Sequence, residues 1–84
     1  MINAYQKIFD HYGWKVEREK LFEEQEELKD ELTSFVIDRN NVISELADNY
    51  VCLEHVKTQF NISEEELHQE INRKLERTLK EIEE

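Results

Sequence analysis

Eighty-four residues allow one domain, spanning 1–84, and a core this small is marginal unless oligomerisation adds stability. One Gly, no Pro and 38% charged residues nearly remove the two strongest helix breakers, so an all-α fold is expected. A net charge of -10 argues against nucleic-acid polymers and acidic membrane surfaces as partners, and no apolar run approaches the roughly 20 residues needed to span a bilayer.

No signal-peptide pattern follows Met1, and the lone Cys52 suits a reducing compartment, so a soluble, cytoplasmic protein is expected. From about Ile2 to Tyr12, the residues Ile2, Tyr5, Ile8, Phe9 and Tyr12 recur at helical spacing, predicting a short helix over 2–12. Gly13 is its natural stop, because glycine tolerates the positive φ common just past a helix end.

A long helix is predicted over about 14–37, with Leu21, Leu28, Leu32 and Phe35 as its apolar stripe. Glu24 falls inside that stripe, and Glu27 and Glu31 lie on its edge. A carboxylate directed at a core is expensive unless it is paired or bound to metal. Asp38-Arg39-Asn40-Asn41 reads as a tight connection in which an Asn caps the next helix, predicted over about 41–60. The stripe of that helix is Val42, Ile43, Leu46, Tyr50, Leu53, Val56 and Phe60, with Glu45, Asp48 and Cys52 along its flank.

Ser63 followed by Glu66 is a capping box that opens a last helix over about 64–82, carrying Leu67, Ile71, Leu75, Leu79 and Ile82. Arg73, Lys74, Arg77 and Lys80 make it the most basic stretch of an acidic chain. Helices in this order predict an all-α bundle, with oligomerisation the likeliest supplement to so small a core.

The chemistry concentrates in two acidic clusters, Glu23-Glu24-Gln25-Glu26-Glu27 and Glu45-Leu46-Ala47-Asp48. In each, carboxylates three residues apart share one helix face, so Glu24, Glu27, Glu45 and Asp48 can meet across a helix pair. Magnesium, or manganese, wants oxygen ligands of this kind. Two unit charges about 4 Å apart repel by roughly 1 kcal/mol even in bulk water, so four converging carboxylates destabilise a bundle without cations. Singly, glutamate-rich helices are usually solvated faces or intrahelical pairs; two core-facing clusters on consecutive helices are a stronger signal. Glu23 and Glu26 remain as groups that could orient or deprotonate a water, and Glu23 lies nearer Glu27 by helical angle.

Asp48, Cys52 and His55 also share a stripe that could hold zinc, against the simpler reading of a buried cysteine with a rim histidine. Tyr12 and Trp14 could stack on a base, but such aromatics more often pack a short helix onto a bundle.

At Glu23-Glu24-x-x-Glu27 followed by Glu45-x-x-Asp48, the chain resembles the all-α nucleoside triphosphate pyrophosphohydrolase superfamily, and within it the MazG-like enzymes. The resemblance runs over roughly residues 14–80. It implies a four-helix bundle of that superfamily's type, completed by oligomerisation, and magnesium-dependent cleavage of an NTP or dNTP to the monophosphate and pyrophosphate. It also implies metal binding by Glu24, Glu27, Glu45 and Asp48, and a homodimer or homotetramer. Glu23 would serve as the catalytic carboxylate, with Lys20, Lys74 and Arg77 as substrate contacts; Lys74 and Arg77 could equally be surface partners of neighbouring glutamates. Many relatives carry a Gln one helical turn before the Lys matching Lys20, where this chain has Glu17. The alternatives are a non-enzymatic acidic helical oligomerisation and interaction module, and phosphoribosyl-ATP pyrophosphohydrolase, which shares the motif.

Overall fold

The computed structural model describes residues 3–84, and every regular element among them is a helix: α1 (Ala4–Leu32), α2 (Arg39–Phe60) and α3 (Glu64–Glu83). Asn3 caps α1, its side chain accepting from the backbone N–H of Tyr5 and Gln6. Ile2, expected in the first stripe, lies outside the described residues.

Gly13 interrupts α1 with φ 82° and ψ 166°, so the helix is two segments joined at a kink. A Cβ at Gly13 would meet no atom within 4 Å, so the demand for glycine here comes from the backbone conformation alone. Beyond the kink, Trp14 stands edge-on to Phe60 at 5.5 Å between ring centroids, the packing role rather than a free stacking face.

α1 ends at Leu32, short of the predicted 37. Thr33 turns the chain back on itself: its Oγ1 donates to the carbonyl of Lys29 at 2.9 Å, and its N–H takes the same carbonyl. Glu31 then reaches forward, its Oε1 accepting from the N–H of Asp38 at 2.9 Å. The connection therefore runs through Thr33–Asp38, and Phe35, expected in the core stripe, is fully exposed within it. Asp38 rather than an Asn caps α2, its Oδ1 accepting from the N–H of Asn40 at 2.8 Å.

α1 and α2 pack against each other through a seam that is mostly polar. Leu21 and Cys52 are its buried apolar members; Glu17, Asn49 and His55 are buried beside them. The predicted stripe of α2 points elsewhere: Leu46, Tyr50, Leu53 and Phe60 are exposed, and the helix turns its Glu45–Asn49–Cys52 flank to α1. A reason lies on α1, where the backbone carbonyl of Glu24 accepts from Asn49 and the Glu17 carboxylate lies against His55.

α3 leaves this pair at Asn61, whose φ of 52° closes α2 in the left-handed conformation, and the predicted Ser63–Glu66 capping box forms. Lys57 pairs with Glu64 at the junction, but α3 packs along neither α1 nor α2. Its apolar residues are open from Ile71 onward, and a groove of about 470 Å³ lined by Tyr50, Leu53, Val56, Ile62, Leu67 and Ile71 separates its first half from α2. Within one chain the architecture is a helical hairpin with a projecting third helix.

Candidate metal centre

Glu24 and Glu27 stand one turn apart on α1; Glu45 and Asp48 stand one turn apart on α2. Across the seam the four offer one carboxylate oxygen each, all within 4.8 Å of one another, and such a group could hold a metal ion. Magnesium bonds oxygen at about 2.0–2.1 Å, so oxygens gathered this closely are on the scale of the ligands a single ion would draw together.

A second observation separates this cluster from an ordinary acidic surface. Glu24 Oε2 and Glu45 Oε2 are shut off from solvent and have no hydrogen-bond partner among the described residues. A buried carboxylate oxygen without a donor is unfavourable, and a cation is the partner that would satisfy several at once. The donor set, all oxygen and all anionic, fits a hard divalent ion.

The electrostatics agree. Burial is the main reason the Glu24 carboxyl is pushed up to about 7, followed by hydrogen bonding with the Glu27 carboxyl and the negative charges of Asp48, Glu27 and Glu45. Glu45 is raised for the same reasons, burial first and then the charges of Glu27 and Asp48. Without a cation the cluster therefore holds protons that free carboxylates would have lost.

The remaining residues singled out in the sequence fall differently. Glu23 is exposed on α1, one turn before Glu27, and Lys20 is exposed one turn before Glu24. Lys74 lies 3.8 Å from Glu70, which also takes the Arg73 guanidinium, so that basic stretch is partly paired along its own helix. Because α3 does not pack on α1 or α2, Lys74 and Arg77 are not brought to the acidic cluster within the chain.

Cys52 and His55 do not join the metal-capable group. His55, read from sequence as a rim residue, is 1% exposed. Its Nδ1 lies 2.8 Å from Glu17 Oε2 but off hydrogen-bond alignment, and its Nε2 has no polar partner among the described residues. Tyr5 and Phe9 stand over its ring, each at 6.3 Å. Burial, and then the Glu24 charge, push the Cys52 thiol up, which keeps it neutral and a poor ligand or nucleophile.

Sequence reasoning missed Glu17 and Asn49 as interior residues. Glu17 had a usable signal, since it precedes Leu21 and Glu24 at helical spacing and extends their stripe by one turn. Comparison with protein-family models, with curated proteins and with solved structures finds no match for this chain.

Proposed function

We propose that the chain is a magnesium-dependent nucleotide pyrophosphohydrolase of the MazG-like kind, cleaving an NTP or dNTP to the nucleoside monophosphate and pyrophosphate. The observation that carries the reading is the convergence of Glu24, Glu27, Glu45 and Asp48 with two shielded, unpartnered carboxylate oxygens among them. The reaction itself comes from the motif resemblance.

In this reading the four carboxylates hold the cation, and magnesium, when bound, supplies positive charge against the phosphate oxygens and the departing pyrophosphate. Glu23, exposed one turn before Glu27, accepts a proton from the attacking water or orients it. Lys20 lies on the same helix and offers its ammonium to the phosphate chain.

The test is pyrophosphate release from a panel of NTPs and dNTPs, with magnesium and with EDTA, beside Glu24→Gln. Release should need both the metal and Glu24, with the variant down by at least about a hundredfold in kcat. A folded protein that releases no pyrophosphate from any nucleotide would sink the reading. It would favour the interaction module, which the uncovered apolar faces of α2 and α3 support.

Those faces also underlie the proposed homodimer or homotetramer. Leu67, Ile71, Leu75, Leu79 and Ile82 form one stripe of α3. Ile71, Leu75, Leu79 and Ile82 are exposed along it, and packing against a second copy of the helix would cover them. Lys74 and Arg77 would contact substrate in the assembly, not within one chain. Sedimentation equilibrium should give a dimer or tetramer that Leu75→Glu dissociates; a wild-type monomer at tens of micromolar would refute it.

A further inference from the structure

Asn49 is buried between the two helices that carry the acidic pairs, and is not itself a candidate ligand. Its Nδ2 donates to two backbone carbonyls, that of Glu24 at 3.0 Å and that of Glu45 at 2.8 Å. These belong to the first acid of each pair, and to the same two residues whose Oε2 atoms are shielded and unpartnered. A planar amide presents its two N–H bonds at a fixed angle, so satisfying both carbonyls at once leaves little freedom in the separation of Glu24 and Glu45.

Neither carbonyl depends on this donor for the helix, since both lie in helix interiors where an N–H one turn on is available. An apolar side chain of similar volume would fill the seam without burying an amide. What such a side chain cannot do is tie the backbone of α1 to that of α2 at the level of the acids.

We infer that Asn49 is a positioning residue for the metal centre: by clamping the Glu24 and Glu45 carbonyls it sets the spacing at which the two carboxylate pairs face each other. The inference rests on the metal-binding reading of the same site. Residues that orient ligands without touching the ion typically change metal affinity by about 10–100-fold. Asn49 acts one step earlier in that chain, on ligand backbones rather than on ligand carboxylates.

The test is manganese binding by titration calorimetry, alongside thermal unfolding in EDTA, for wild type, Asn49→Leu, Asn49→Ala and Cys52→Ala. Cys52 is the packing control, buried in the same seam but bonded to neither acid backbone. Manganese affinity should fall by about tenfold or more in both Asn49 variants while they remain folded. Cys52→Ala should lower the melting temperature and leave the affinity within about twofold.

A folded Asn49→Leu that binds manganese as wild type does would overturn the positioning role, as would loss of fold in both Asn49 variants, which would make the residue structural. A wild-type protein that binds no manganese would instead remove the metal reading on which the inference stands.

Discussion

Magnesium at about a hundred times its dissociation constant is expected to raise the melting temperature of the wild-type chain by roughly 10–20 °C at about pH 8. Binding to the native state alone contributes about 2.7 kcal/mol at that excess, and each kcal/mol moves the midpoint by about 4–8 °C in a domain of this size. The effect should vanish in Glu24→Gln and Asp48→Asn.

The metal-free protein carries a matching pH signature. The Glu24 carboxyl, at about 7 in the folded chain against 4.5 ordinarily, keeps a proton that the unfolded chain releases between those values. The native state then binds more protons than the unfolded state, so stability in EDTA falls as pH rises through that window and levels above it. Glu24→Gln cannot ionise and escapes this decline. In EDTA it should therefore melt above wild type at about pH 8 and close to it at about pH 4. Circular-dichroism melts across this range check both statements, and wild-type curves unmoved by magnesium would refute the first.

Removing one partner of the buried Glu17–His55 contact should cost about 1–3 kcal/mol, because the survivor is a buried polar group left without its neighbour. Both side chains are 2% exposed and 2.8 Å apart, so neither Glu17→Ala nor His55→Ala gives the survivor access to water. Native domains hold only about 5–15 kcal/mol in all, so either change removes a large share of the stability. Tyr5 and Phe9 stand over the histidine ring, and His55→Ala should also loosen the segment before Gly13, visible as faster amide exchange there. Replacing both, Glu17→Leu with His55→Phe, should restore much of the loss, since an apolar pair of similar volume leaves no buried polar group to satisfy. Urea unfolding of the Ala variants and the Leu–Phe double decides it: a double no more stable than the weaker Ala variant would mean that a stranded polar partner is not the source of the loss.

Much of this arrangement is legible in the sequence, at particular residues. The helix break at Gly13, the Ser63–Glu66 capping box and the all-helical character of the regular elements among the described residues depend on local chemistry, and all are present. The meeting of Glu24 and Glu27 with Glu45 and Asp48 follows from helical spacing and a short connection. The end of α1 was misjudged because Thr33, Ser34 and Glu31 use their side chains to bond the backbone, a competition that hydrophobic periodicity does not register.

The face that α2 turns to α1 was misjudged for a different reason. Apolar periodicity selects Leu46, Tyr50, Leu53 and Phe60, yet these remain exposed while Asn49, Cys52 and His55 are buried. Periodicity says which residues share a face; it does not say which partner that face awaits.

The sequence by itself determined the elements and the acidic pairs they carry, because helix propensity, capping and the 3.6-residue repeat act within a few residues of one another. Only the tertiary structure decided that the inner seam is polar, that Asn49 joins the two acid-bearing backbones, that His55 is buried against Glu17, and that α3 stands apart from the hairpin. Those outcomes depend on which buried donors find acceptors across a helix pair, a condition on groups that spacing along one helix cannot express.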